Sequence, residues 1–307
     1  MKVGVIYHNP DLPIHINIGD DIQTIGAINI LREICGDKLE LVYIDRENIS
    51  EFYAPEPVVT IMQWWWMHNT ASWPPSSSIE PIFIGFHVSH KFRNFITQNP
   101  DSLNYFKDHE PIWCRDEMSY QFFTKKWIRA YLSGCLSIFQ VPQTTSLNRD
   151  TIFLVDAPEV LSFLPADITN NVVSLSHRIG FNNLNERLSV GQKLIDLYFS
   201  RGKIIITSKL HCALPCIAMG LSVIVLSHKK TDDRLDLLKL FTKNIFFYPF
   251  YFRFLKLFWF WKRIIWKNLC NQFPLIPPKP FLKESQQNLR NLIRQNLRKH
   301  FSDIDFS

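Results

Sequence analysis

Short apolar runs alternate with amphipathic ones along most of this chain, in two series. The first series holds VGVIYH, then DDIQTIGAINILREIC with apolar residues at helical spacing, then LELVYID, PVVTIM, PIFIGFH and PIWC. The second holds TIFLVD, NVVSLSH, a long amphipathic stretch over residues 184–200, KIIIT, TSKLHCALPCIAMG and LSVIVL. Strand-like runs separated by helical ones predict parallel strands joined by crossover helices. The polar passage QVPQTTSLNRD, residues 140–150, separates the series and reads as a linker. At 307 residues the chain has room for two domains of roughly 100 to 150 residues each.

We therefore expect an α/β protein with two Rossmann-like lobes facing each other across a cleft, the GT-B arrangement. The expected divisions are an acceptor-side lobe over 1–140, a donor-side lobe over 150–242 and a basic aromatic helical tail over 243–307. With 46% apolar and 20% charged residues the composition is that of a packed protein and excludes a disordered chain. MKVGVIYHN lacks the apolar core and cleavage site of a signal peptide, which predicts a cytoplasmic protein. The six cysteines show neither a C-x-x-C pair nor a zinc-like grouping with histidines, as suits a reducing compartment. Cys212 and Cys216, four apart, read as two small buried side chains.

Open parallel sheets bind ligands at the carboxyl ends of their strands, so ionisable residues just after strands are the candidates. Asp20 and Asp21 follow the loop after the first strand, His87 and His90 follow PIFIGF, and Arg115 and Asp116 follow PIWC. His177 and Arg178 follow VVSLS, Lys209 and His211 follow KIIIT, and His228, Lys229 and Lys230 follow VIVL. In TSKLH, Ser208 reads as an N-cap with Lys209 and His211 in the first helical turn. Cations are disfavoured there by the helix dipole, unless a bound anion is shared by the dipole, the free N–H groups and the side chains. In CRDEMS, Arg115 offers a planar fork for a carboxylate or phosphate, with a structural Arg–Asp pair as the alternative, and Asp116 reads as an N-cap.

Taken together, IGDDIQT at 18–24, WWMHN with WPP at 65–75, PIFIGFH at 81–87, CRDEMS at 114–119, GCLS at 134–137 and TSKLHCALPCIAMG at 207–220 resemble the polysaccharide pyruvyl transferase family. The likeness runs over residues 1–240. It implies a GT-B-like fold and transfer of the enolpyruvyl part of phosphoenolpyruvate onto two sugar hydroxyls, giving a pyruvate ketal and phosphate. It further implies that Arg115, Lys209, the Leu210 backbone and His211 hold phosphoenolpyruvate, helped by Lys229 and Lys230. His211 would be the acid or phosphate partner, and Asp20 or Asp21 the base on the acceptor side. The family has Arg where this chain has Lys209, which exchanges a planar fork for a point charge. The same likeness implies a lipid-linked or polymeric saccharide acceptor. Metal dependence and a cofactor are not required, because cations already occupy the expected donor pocket.

The stretch WWWMHNTASWPP, residues 64–75, reads either as an acceptor-binding loop, with Trp65, His68, Asn69 and nearby His87 on the sugar, or as a loop packed into the lobe. The net charge of +6 is uneven, since residues 241–300 carry twelve Lys/Arg against one Glu. Within that region, residues 245–270 interleave aromatics with Arg253, Lys256, Lys262, Arg263 and Lys267, too many charges for a bilayer span. The pattern predicts peripheral attachment to the inner membrane surface, with packing back on the N-terminal lobe as the alternative. Single-stranded nucleic acid would also suit a basic aromatic surface, but no nucleic-acid motif accompanies it. A homo-oligomer stays open. Two other functions remain: a GT-B glycosyltransferase using a sugar nucleotide, and a non-catalytic partner of polysaccharide synthesis.

Overall fold

The computed structural model describes residues 1–9, 16–66, 72–164, 169–180, 183–227, 236–239, 245–247 and 280–301. The first lobe runs β1 (Lys2–Tyr7), β2 (Ile16–Asn17), α1 (Ile18–Cys35), β3 (Glu40–Asp45), β4 (Val58–Trp66), β5 (Ile79–Val88), α2 (His90–Gln98), α3 (Pro100–Asp108), β6 (Ile112–Cys114), α4 (Glu117–Lys125) and β7 (Ala130–Leu132). Its sheet has the order β3-β1-β4-β5-β6-β7, with every neighbouring pair parallel. Each apolar run of the first series is a strand here, and residues 140–150 hold neither helix nor strand.

The second lobe runs β8 (Thr151–Val155), β9 (Val172–Leu175), β10 (Arg178–Ile179), α5 (Leu184–Arg201), β11 (Gly202–Thr207), α6 (Leu210–Ala218), β12 (Val223–Ser227), α7 (Asp236–Lys239) and β13 (Ile245–Phe247). Its sheet, β13-β12-β11-β8-β9, is also parallel throughout. β13 carries this sheet past residue 242, where the sequence reading ended the lobe. The chain reverses its direction of winding at β8, so the switch point lies between the carboxyl ends of β8 and β11, at Asp156 and Ser208–Lys209.

The lobes are tied at three places. β2 pairs antiparallel with β10, and the Ile18 N–H donates to the His177 carbonyl at 2.8 Å. α1 is sandwiched, with only Asp20, Asn29, Arg32 and Glu33 escaping full burial, which is why its apolar pattern runs nearly all round the helix. Gly191 of α5 allows the close approach of the two helices, since a Cβ there would meet Ile25 Cδ1 at 2.7 Å. Third, α8 (Pro280–His300) crosses back to the first lobe. Its Leu282, Leu289, Ile293 and Leu297 are buried in the core cluster of Val3, Val5 and Ile30, and Arg290 Nε pairs with Glu33 Oε1 at 2.6 Å. Gln286 Nε2 donates to the Ile138 carbonyl at 3.0 Å.

This placement corrects the reading of 243–307 as one tail. The stripe of α8 is apolar enough to pay back its ordering by packing, so residues 280–300 cover the first lobe. Apart from 245–247, the stretch 245–270 proposed for the membrane surface lies outside the described residues. No helix among the described residues is long and apolar enough to cross a membrane.

Candidate functional site

The N-terminus of α1 enters the lobe interface. Asn17 caps it by accepting from the Gly19 N–H at 3.3 Å, and Asp20 and Asp21 occupy the first turn, where the dipole favours acids. Asp21 is buried and pairs with the equally buried Arg187 Nη2 of α5 at 3.2 Å. Burial raises its carboxyl to about 7 against the pull of Arg187, with Asp20 adding to the rise. Asp20 is only partly buried and accepts from Gln23 Nε2 at 3.4 Å. Burial raises its pKa too, opposed by Arg46, His8, Arg115 and Arg187. The two acids therefore differ: Asp21 braces the lobes, and Asp20 is the more accessible carboxylate.

Arg187, His8 and Arg46 escaped the sequence reading. Arg187 Nη2 donates to the His8 carbonyl at 2.5 Å, and its Nε and Nη1 are buried without a hydrogen-bond partner. Arg46 pairs with Glu47 and lies over the Trp64 ring at 5.1 Å. Burial raises the Glu47 carboxyl, but hydrogen bonds and charge from His8 and Arg46 outweigh it and hold the group at about 2. His8 and Arg46 stand directly after β1 and β3, so the strand-end rule could have found them. Arg187 lies within a helix and carries no local signal.

At the ends of β5 and β6 lies a second, closed cluster. Asp116 caps α4, accepting from the Ser119 N–H at 3.0 Å and from Ser119 Oγ at 2.9 Å, and pairs with His87 Nδ1 and with Arg115 Nε at 3.5 Å. Arg115 Nη1 also donates to Gln23 Oε1 at 3.4 Å. Burial and then Arg115 lower the pKa of His87, whose Nδ1 meets the Asp116 carboxylate. For Asp116 burial pulls the other way, but the His87 hydrogen bond and Arg115 hold the carboxyl well below the usual range. His87, Arg115 and Asp116 are all buried. His87 is thus a buried internal group paired with Asp116. Arg115 combines the structural pairing with a position on a cavity wall described below.

The tryptophan stretch divides in the same sense. Trp64, Trp66 and Trp73 are buried, and Trp73 stacks on Phe106 at 5.0 Å and meets Phe92 edge-on at 5.2 Å. These three belong to an aromatic core. His68 and Asn69 lie outside the described residues, as do Lys229 and Lys230.

In the second lobe the switch point opens into a cavity of about 590 Å³ lined by Asp156, Ser176, Arg178, Ser208 and Lys209 among others. Lys209, and not Ser208, is the N-cap of α6. It makes no side-chain cap, and its N–H donates to Thr207 Oγ1 at 3.0 Å while Ser208 Oγ donates to the Asp156 carbonyl at 2.9 Å. Lys209 Nζ lies 3.7 Å from Asp156 Oδ2, a loose pair that a ligand can reorganise. His211 is buried in the first turn of α6 and faces α1, where a Cβ on Gly19 would come within 3.1 Å of His211 Cβ. Leu210 begins the helix and joins the core, and Cys212 and Cys216 are buried free thiols. Pro215 lies inside α6, near its end. Arg178 joins Lys209 at this cavity, whereas Arg115 lies on the other lobe's cavity; the two predicted donor ligands Arg115 and Lys209 do not share one. Among the described residues no group of three metal-ligating side chains occurs.

No known family profile matches the chain, and no curated protein does. Solved structures do. A UDP-N-acetylglucosamine 2-epimerase superposes with a TM-score of 0.53 at 10% identity, over 100% of this chain and 97% of its own. The Neisseria meningitidis UDP-GlcNAc 2-epimerase bound to UDP-GlcNAc gives 0.51 at 10% identity, covering 97% and 100%. An uncharacterised protein of Klebsiella pneumoniae gives 0.50 at 13%, covering 81% and 93%. These likenesses define the fold: the chain is an α/β protein with two Rossmann-like lobes of the GT-B type.

Proposed function

We propose that the chain is a pyruvyl transferase that moves the enolpyruvyl group of phosphoenolpyruvate onto a sugar of a polysaccharide precursor. The observation that carries this reading is the cavity at the switch point of the second sheet, where Arg178 and Lys209 meet the start of α6. A ligand with both a carboxylate and a phosphate needs two cations, and the positive end of a helix dipole adds to them. The hydroxyls of Ser176 and Ser208 line the same space.

In this reaction a proton is delivered to C3 of the donor, a sugar oxygen bonds to C2, and the C2–O bond to phosphate breaks with its electron pair leaving on phosphate. A second sugar hydroxyl on the same C2 closes the ketal. His211, which faces α1 from the first turn of α6, is the proposed acid or phosphate partner. Asp20 is preferred to Asp21 as the base, because Asp21 is committed to Arg187.

A second reading, an enzyme using a sugar nucleotide, draws on the size of the cavity, which exceeds the needs of a three-carbon phosphate ester. The UDP-GlcNAc held by the Neisseria epimerase of similar fold points the same way. Thermal denaturation separates the two. Phosphoenolpyruvate should raise Tm in the wild type and fail to do so in Lys209→Ala. A rise with UDP-GlcNAc and none with phosphoenolpyruvate would overturn pyruvyl transfer. Membrane-surface attachment and a saccharide on a lipid carrier go with the proposal, and flotation of the full chain with anionic vesicles tests the first.

A further inference from the structure

A second cavity, of about 690 Å³, lies beside the first lobe between the ends of β6 and β7, Leu237 of α7 and one face of α8. α8 turns two stripes in different directions. Leu282, Ile293 and Leu297 go into the core, and Leu289 is shared between the core and the cavity wall. Glu284, Asn288, Asn291 and Gln295, spaced four, three and four residues apart, line the cavity. Opposite them stand Trp113, whose indole Nε1 is buried without a partner, and Leu132.

The charges differ from those of the α6 cavity. There, two cations face one carboxylate, Asp156. Here Arg115 faces three carboxylates, Asp116, Glu117 and Glu284, and is itself paired to Asp116. An anionic donor is therefore repelled from this cavity. A neutral ligand rich in hydroxyls is suited to it, since carboxamides and carboxylates offer paired donors and acceptors to vicinal hydroxyls. Trp113 and Leu132 offer apolar surface to the C–H faces of a ring.

The cavity is also wired to the lobe interface. Asp116 pairs with Arg115 at 3.5 Å, Arg115 donates to Gln23 Oε1 at 3.4 Å, and Gln23 Nε2 donates to Asp20 Oδ1 at 3.4 Å. We infer that this cavity is a saccharide-binding site that holds the acceptor, with Asn288, Asn291 and Gln295 of the C-terminal helix as its hydrogen-bonding face. The inference rests on the proposed reading for the word acceptor, and binding of the sugar itself can be tested without the donor.

The test is saturation-transfer NMR on the full chain with the methyl β-glycosides of glucose, galactose and N-acetylglucosamine. At least one should receive saturation, and Asn288→Ala/Asn291→Ala should weaken its binding at least tenfold while Lys209→Ala leaves it unchanged. The two asparagines are exposed on a helix, where alanine is the better helix former, so the variant should fold. Leu132→Trp, which fills the cavity from the exposed edge of β7, is the second probe and should give the same loss. Absence of binding by all three glycosides, or binding that survives both variants, would overturn the site. A protein that responds to phosphoenolpyruvate but binds no glycoside overturns this inference alone. One that binds a glycoside here but ignores phosphoenolpyruvate overturns the donor reading alone.

Discussion

The two lobes place ionic groups at the same topological position and treat them differently. At the ends of β5 and β6, His87, Arg115, Asp116 and Ser119 are buried and pair with one another at the edge of the second cavity, with Asp116 accepting from three sides. At the ends of β8 and β11, Asp156 and Lys209 face a cavity and hold each other at 3.7 Å. Position after a parallel strand is thus common to a brace and to a binding site. Partnering tells them apart: buried charges whose partners are all internal serve the fold, and loosely paired ones on a cavity remain free to exchange partners.

The largest effect should come from the brace. Asp116→Ala strands Arg115 beside a buried histidine and should cost about 3–5 kcal/mol in urea unfolding. A cost below about 1 kcal/mol would break the distinction between the lobes. Next comes Asp21, whose carboxyl is raised to about 7 in the folded protein. Because the folded state then holds a proton that the unfolded state has released, stability should fall as pH rises from about 4 to about 7. The loss is on the order of 4 kcal/mol, about three pKa units at about 1.4 kcal/mol each, and Asp21→Asn should flatten it. Glu47, held at about 2, has the opposite sign: its contribution is present above about pH 4.5 and is lost as pH falls toward 2.

Lys209→Ala should change stability by less than about 1 kcal/mol, since its pair with Asp156 is partly exposed. It should nonetheless abolish the Tm response to phosphoenolpyruvate. A stability loss as large as that of Asp116→Ala would make Lys209 a second brace. The smallest effect belongs to Arg290→Ala, which removes the pair with Glu33 and the contact over Phe139 and should cost about 0.5–1 kcal/mol.

Much of the fold was legible because it rests on period. The apolar runs became strands, Asp116 became the N-cap of α4, and the helix read from DDIQ to Cys35 needed only Ile18 and Gly19 added. The failures occur where period is silent. WWWMHNTASWPP reads equally as a binding face or as core, and only the surrounding Phe86, Phe92 and Phe106 decide it for Trp66 and Trp73. The stripe of Leu282, Leu289, Ile293 and Leu297 was visible in principle, but the excess of cations over residues 241–300 made 243–307 look like a single tail. Arg187 meets Asp21 across the lobe interface, and no local spacing announces a contact made by folding two lobes together.

The short pairing of β2 with β10 has a mechanical consequence. Asp20 stands three residues beyond β2, and Arg178 is itself in β10, so a carboxylate of one lobe and a cation of the other are stitched to the same two-stranded ribbon. The ribbon fixes these two groups against each other like rivets on one hinge plate.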